Sequence, residues 1–246
     1  MNEVEELARL LEDHAIGTDE GDRREHSGDL WPRRLIEERI GSAEITTGPV
    51  VRPRSTLDVS AVLEWADRTR TSVVPYGLGS GVCGGIAPVD GIVMDLSLMN
   101  EISDLDETSR LVTAQAGVSG PQLRDFLSDR GFTLGHEPQS IDISTVGGWL
   151  GTRACGQLSA RYGGIEDLVA GVEAVLPGGK VLPNKPVSRR SAGPDLKELL
   201  IGSEGTLGVI TEVTLKIAPE SKSRVNRCLL FEHMADGVKA CRMIAQ

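Results

Sequence analysis

The chain has no basic excess. Its 26 Lys and Arg stand against 36 Asp and Glu, a net charge of −10 over 246 residues. A surface built for a phosphodiester backbone needs positive charge, so the balance argues against nucleic acid as a partner, and solubility accounts for the acidity more readily than an acidic functional surface does. Cysteine is scarce and scattered: Cys83, Cys155, Cys228 and Cys241 form no C-x-x-C and no Cys/His pair. That fits reduced thiols in a cytoplasmic protein better than a disulfide frame or a zinc site, and leaves no metal centre to assign. Long hydrophobic runs are missing too. Nothing approaches the ~18 apolar residues of a membrane span, and the acidic N-terminus lacks the basic and apolar regions of a secretion signal. Aromatics are only 3%, although 39% hydrophobic residues and 29 glycines make an ordinary globular composition. At roughly 150 residues per domain, the length suits one large or two small domains.

What the chain does have is glycine in a concentrated run. PYGLGSGVCGG, residues 75–85, follows the apolar Ser72-Val73-Val74, which reads as a buried strand. Glycine reaches φ > 0 without cost and lets the backbone approach a ligand. Free N–H groups on a concave loop make an anion nest, so a pyrophosphate is its natural guest; the alternative is a solvent-exposed turn. Gly79-Ser80-Gly81-Val82-Cys83-Gly84 matches G-x-G-x-x-G, but that fingerprint needs a helix opening inside the loop. Gly85-Ile86-Ala87-Pro88-Val89-Asp90-Gly91 cannot supply one, and no Gly-Lys-Ser/Thr follows. Strand, glycine loop and second strand (Ile92-Val93-Met94) remain, with the loop itself as the binding element.

Elsewhere, residues 1–13 read as an amphipathic helix with Val4, Leu7, Leu10 and Leu11 on one side. Residues 17–28 read as a mobile arm, and Trp31 as the first docking point. Folding proper begins near Ile45. Val50-Val51 is a strand, Ser55 or Thr56 caps a helix carrying Val59, Val62, Leu63 and Ala66, and Arg110–Ala116 is another strand. Pro121 opens a helix that stops at Gly131. Residues 136–168 lack amphipathic rhythm, as a loop against a ligand or a helix packed on backbone would. Val169–Leu176 is a strand, Pro177-Gly178-Gly179 a hairpin turn, and Asp195–Ile201 a short helix. GSEGTLG, residues 202–208, opens a strand with Val213, Leu215 and Ile217 on one face and Glu212, Thr214 and Lys216 on the other.

The order of glycine loop, HEPQSIDISTVGGWLGTRACG, RYGGIED and IGSEGTLGVITEVTLKI resembles the FAD-binding (PCMH-type) domain of the vanillyl-alcohol oxidase family. Within that family it is most similar to alkylglycerone-phosphate synthases and to bacterial FAD-linked oxidases of the glycolate oxidase kind. The similarity runs from about Val50 to Pro219. It implies an α+β fold of two subdomains, with mixed and antiparallel sheets, flanking helices and FAD between them. Pro75, Tyr76, Gly77, Leu78, Gly79, Ser80 and Gly81 would wrap the pyrophosphate. Gln139, Ser140, Asp142, Ser144 and Thr145, with Thr152, Arg153, Ala154 and Cys155, would line the flavin and ribityl chain. Gly202, Ser203, Glu204, Gly205, Thr206, Leu207 and Gly208 would close from the other side. Backbone amides and the Ser140, Ser144, Thr145 and Thr152 hydroxyls can hold a dianion without a basic cluster. Relatives of the synthase usually carry Asp where Gln139 stands.

Some relatives link FAD through a histidine in the first loop. Gly81 stands at that position here, so the cofactor is expected to be dissociable. Cys83 reads as a nucleophile or, more readily, as a buried structural thiol. His136 reads as an acid or base, or as a structural hydrogen-bonding group. Arg153 reads as facing flavin or a substrate anion, or as pairing with Glu166 or Asp167, and Trp149 as core packing rather than a flavin stacking partner. The expected organisation is an N-terminal helix and arm over 1–44, the cofactor domain over 45–220, and the start of a substrate-binding cap over 221–246. The resemblance puts the catalytic Tyr, Arg and His in that cap, so no catalytic residue is assigned. A fragment, a truncated product or one half of a split enzyme is expected. The implied reaction, with flavin N5 carrying the chemistry, is oxidation of a hydroxy acid or alcohol, or acyl-for-alkyl exchange on a glycerone-phosphate ester. The alternatives are a non-catalytic FAD-binding module needing a partner subunit or cap, and a nicotinamide-using reductase of cell-wall amino-sugar synthesis.

Overall fold

A computed structural model describes residues 3–11, 15–43, 47–86, 91–187, 191, 193–223 and 225–245. The start proposed near Ile45 and the Ala87–Asp90 segment lie outside them. Helix α1 (Glu3–Leu10) turns Leu7 into the core, joined by Leu11 just beyond it. Strand β1 (Ile16–Gly17), α2 (Glu20–Glu25) and α3 (Pro32–Arg39) follow. The span read from sequence as a mobile arm is thus structured: Asp19 caps α2, and His26, Ser27 and Asp29 are buried.

Strand β2 (Val50–Val51) leads to α4 (Thr56–Thr69). Ser55 is the cap, and it forms a reciprocal capping box with Asp58, so the helix starts where two orphan amides find acceptors. Val59, Val62, Leu63, Trp65 and Ala66 are its buried face. Strands β3 (Ser72–Tyr76) and β4 (Gly91–Asp95) then lie parallel, and β4 also pairs parallel with β2. With β1 antiparallel to β2, the first sheet is mixed, in the order β1-β2-β4-β3. Pro75 is tolerated because β3 is an edge strand, where a missing N–H costs no ladder bond.

The second sheet is antiparallel. Strands β5 (Ile102–Asp106) and β6 (Leu111–Gln115) form a hairpin, and Ser119 caps α5 (Gly120–Ser128). After β7 (Phe132–Thr133) come the short helices α6 (Val146–Gly151), α7 (Ser159–Tyr162) and α8 (Ile165–Leu168). Strands β8 (Val169–Val175) and β9 (Val181–Leu182) flank the Pro177-Gly178-Gly179 turn, where both glycines have φ near +80° (83° and 82°). Helix α9 (Lys197–Leu200) precedes β10 (Val209–Lys216), and β11 (Ala218–Pro219) pairs with β7.

Sheet order is β5-β6-β10-β8-β9, so β10 is the central strand. Its alternation reads half-polar, yet Thr211 and Thr214 are buried along with Val213 and Leu215. Thr214 shares a 2.9 Å hydrogen bond with Thr113, and its Oγ1 accepts from Asn184 Nδ2 at 2.8 Å. The polar face is therefore covered by chain that satisfies its hydroxyls. One main apolar cluster joins α1, α4, α6 and both sheets. Beyond Glu220, α10 (Met234–Ala245) leaves Met234, Val238, Met243 and Ile244 exposed. The expected α+β class with mixed and antiparallel sheets is the observed one.

Candidate functional site

The glycine loop leaves the C-terminal end of β3 with its backbone bare. Gly79 has φ +65°, and a Cβ there would stand 2.5 Å from the Tyr76 hydroxyl. At Gly77 a Cβ would meet Thr145 Oγ1 at 2.6 Å. Bulk is thus excluded on both sides of the loop. Among the described residues, the amides of Gly77, Leu78, Gly79, Ser80, Gly81 and Val82 donate to no protein acceptor.

The second loop, residues 202–208, is pinned to α6 by the Gly202 amide on Leu150 O (2.8 Å) and the Glu204 amide on Gly151 O (2.9 Å). Its Gly205, at φ +79°, comes so close to β3 that a Cβ would sit 2.8 Å from Pro75 Cγ. The Glu204 carboxylate lies against Gly85 of the first loop. The two glycine bends, more than a hundred residues apart in sequence, therefore face each other. The amides of Gly205 and Gly208 are also free of protein acceptors among the described residues.

Between them lies a cavity of about 600 Å³, within the range of small-molecule and cofactor sites. The whole run from Pro75 to Gly81 lines it, as do Gln139, Ser140, Ser144, Thr145, Thr152, Arg153, Ala154, Cys155, Glu204, Gly205 and Gly208. Leu96, Ala116, Trp149 and Ile210 give it an apolar floor. Gly202, Ser203, Thr206 and Leu207 stand outside the lining; Ser203 O instead accepts from Thr206 Oγ1 at 2.7 Å, closing the turn behind the cavity wall. Asp142 is also outside, pairing with exposed Arg124 at 3.2 Å. We therefore expect Asp142→Asn to change ligand affinity by no more than about twofold in a fluorescence titration, as befits a surface ion pair.

The hydroxyls along the cavity also serve the fold. Ser144 Oγ donates to Ser140 O (2.6 Å) and accepts from Trp149 Nε1 (2.7 Å), and Thr152 Oγ1 donates to Gly148 O (2.9 Å). Both proton donors are thus committed to the fold. Thr145 Oγ1 caps α6 by accepting from the Gly148 amide (3.2 Å), while the Ser140 hydroxyl is uncommitted among the described residues. Arg153 pairs with Glu166 at 3.3 Å. Arg153 (φ 52°) and Glu204 (φ 48°) both occupy the left-handed region and both line the cavity. Such strain in non-glycine residues gathers at binding sites. Cys83 is exposed and lines the cavity, so it is not the buried thiol its sequence context suggests. No cluster of three His, Cys, Asp or Glu side chains able to hold a metal occurs among the described residues.

Two features escaped sequence reasoning. The first is a buried network under the loop: His26 Nε2 contacts Asp95 Oδ2 (3.3 Å), its Nδ1 meets Asp22 O (2.8 Å), and Arg52 bridges Asp22 and Asp95. The His26 ring packs on Tyr76 with centroids 4.5 Å apart. Burial disfavours charge on His26, but the hydrogen bond to Asp95 and the Asp22 carbonyl outweigh it, raising its pKa above 6.5. For Asp95, burial is opposed by His26 and Ser97, and its pKa falls below 3.8. The raised His26 pKa gives stability that is complete below pH 6.5 and is lost as pH rises through the folded value. The lowered Asp95 pKa gives stability that is lost as pH falls below 3.8. Thermal melts should therefore show the wild type losing stability above pH 6.5 relative to His26→Gln. Parallel melting curves across that range would contradict the network.

The second is the setting of His136, a residue the sequence offers as an acid or base or as a structural hydrogen-bonding group without showing what surrounds it. It is 3% exposed, both ring nitrogens lack a partner among the described residues, and burial pushes its pKa down to about 4. It stands edge-on to Trp149 at 5.0 Å and faces a separate cavity of about 360 Å³ lined by Leu123, Leu134 and Tyr162. His136 is thus neutral near pH 7 and lies outside the loop-lined cavity. Trp149, 2% exposed, is the wall between the two spaces, consistent with its reading as core.

The sequence model of a family described as "FAD binding domain" matches residues 48–183. The chain is 38% identical over 216 residues to the alkyldihydroxyacetonephosphate synthase of Caenorhabditis elegans, covering 86% of this chain and 36% of that protein. It is 39% identical over 216 residues to the uncharacterized FAD-linked oxidoreductase YgcU of Escherichia coli (strain K12), covering 87% and 44%. A solved alkyldihydroxyacetonephosphate synthase superposes with a TM-score of 0.82 at 32% identity, over 89% of this chain and 40% of that one. The chain thus spans less than half the length of these relatives. With the family's domain match covering both the first loop and the α6 region that anchors the second, this chain belongs to the FAD binding domain family and takes FAD as its cofactor.

Proposed function

We propose that the cavity between the two glycine loops holds FAD non-covalently, as the cofactor site of an FAD-dependent oxidoreductase or synthase. The observation that carries this is the facing of free amides from Gly77–Gly81 with those of Gly205 and Gly208 across one cavity. Those amides would take the diphosphate. Arg153 is the cationic residue among the lining residues and is already paired with Glu166, so a nest of N–H dipoles rather than a basic cluster must meet the negative charge. Gln139 and the uncommitted Ser140 hydroxyl would meet polar atoms of the cofactor, while Leu96, Ala116, Ile210 and Trp149 keep water from the floor. Tyr76, its pKa pushed up to about 12 by burial and by the charges of Glu25, Asp95 and Asp29, stays a neutral phenol. FAD, when bound, supplies an electron-accepting ring; the chain fixes and shields it.

The first loop contains no histidine, which supports a dissociable cofactor. Four free, exposed cysteines suit a reducing compartment such as the cytoplasm, and among the described residues no helix is long and apolar enough to cross a membrane. Residues 45–220 would form the cofactor domain and 221–246 the first part of a substrate-binding region. A small-molecule substrate would be met there or on a partner. Calorimetry should detect one FAD per chain, and absence of uptake by folded protein would sink the reading. Anaerobic mixing of loaded protein with a hydroxy acid, or with a long-chain alcohol and an acylglycerone phosphate, separates the reactions. Bleaching of the visible band marks the oxidase, ether product the synthase, and silence a binding module that needs a partner.

A further inference from the structure

We propose that residues 26–31 form a strap that sets the conformation of the cofactor loop, with Asp29 as a positioning residue for FAD. The proposal rests on the assignment of the loop to the FAD diphosphate. Asp29 is 7% exposed yet borders the cavity. Its Oδ2 accepts from the amides of Gly84 (3.0 Å) and Gly85 (3.1 Å), and its Oδ1 from the Trp31 amide (3.0 Å). Next to it, the Leu30 amide donates to Gly81 O at 2.8 Å. The Trp31 ring comes so close to Gly84, at φ +75°, that a Cβ there would meet its Cε3 at 3.0 Å.

The strap is rooted at its other end. Arg23 Nε donates to Thr47 O at 2.7 Å, and His26 is held between Asp22 and Asp95, the latter at the end of β4. Chain from far upstream thus fastens residues 81–85 from outside. The outcome is a loop divided in two: the amides of Gly77–Val82 are free, while those of Gly84 and Gly85 already face an internal carboxylate. An incoming anion is confined to the first half, and the shape of that half depends on the anchoring of the second.

The test uses the full chain. FAD affinity is measured by flavin fluorescence for wild type, Asp29→Ala and Asp29→Asn, with amide exchange of the 78–86 peptide and melting curves on the cofactor-free proteins. Asp29→Ala removes three hydrogen bonds to one ionised acceptor, so FAD binding should weaken about tenfold to hundredfold. Exchange at Gly84 and Gly85 should accelerate more than exchange elsewhere in the chain, which separates local loosening from any general loss of stability seen in the melting curves. Asp29→Asn keeps part of the acceptor set and should fall between the two; it decides the matter if Asp29→Ala does not fold. Affinity within about twofold of wild type, tighter binding, or unchanged exchange at those glycines would overturn the strap. Gly79→Ala separates the two readings: if it leaves FAD affinity intact, the loop assignment fails, whatever Asp29 does.

Discussion

Gly205→Val is expected to weaken FAD binding by about a hundredfold, roughly 3 kcal/mol. Gly205 sits at φ +79°, where a β-branched residue is strained by about 1–2 kcal/mol. Its new Cβ would stand 2.8 Å from Pro75 Cγ, an atom of a rigid ring held in β3. Neither contact can relax without the second loop moving away from the first, which opens the gap between the two sets of amides. Gly131→Ala is the control. It shares a positive φ of 75° but has nothing within 4 Å of the added carbon and lies outside the cavity. Fluorescence titration should show Gly131→Ala binding like wild type. An affinity for Gly205→Val within threefold or so of wild type would mean that the second loop does not contact the cofactor.

Trp149→Ala should cost about 3–5 kcal/mol in urea unfolding, as for other buried Trp truncations. The indole is 2% exposed, bonds Ser144 Oγ through Nε1, and separates the two cavities. Its loss joins them and lets solvent reach His136, so the His136 pKa should climb from about 4 towards its ordinary 6.5. An NMR titration of the imidazole reads this directly. Trp149→Phe keeps most of the volume and forfeits one hydrogen bond, so about 1 kcal/mol and little pKa change are expected. A His136 that titrates alike in wild type and Trp149→Ala would show that burial is not what holds it neutral.

How far the sequence went depended on the range of the interactions involved. The glycine loops, the capped α4 and the β8 turn are written in adjacent residues, through φ preferences, caps and periodicity, and each stands where those signals put it. The arm does not. Its polar composition reads as solvated chain, but His26 and Asp29 are buried by partners 55 to 69 residues away, Gly84 and Asp95, and no local pattern encodes those bonds. Strand β5 is missed for a related reason: Ile102–Asp106 is half-exposed and polar, and its pairing with β6 makes it a strand. The residue types of Ser144 and Thr152 suit a ligand contact, but type alone does not show that each hydroxyl also donates to a carbonyl four residues earlier, a local option open to any Ser or Thr near a helical turn.

The position of β10 at the middle of its sheet has a consequence for synthesis. Strand β6 pairs with β10, which leaves the ribosome about 100 residues later, or roughly 5–20 s at ordinary elongation rates. Until then β6 carries an unpaired ladder edge beside its hairpin partner, and β8 waits likewise. The nascent polypeptide therefore carries one open edge through that interval and two over its last part, the form most prone to pairing with a neighbour, and slowing translation between β8 and β10 should raise the fraction recovered as aggregate.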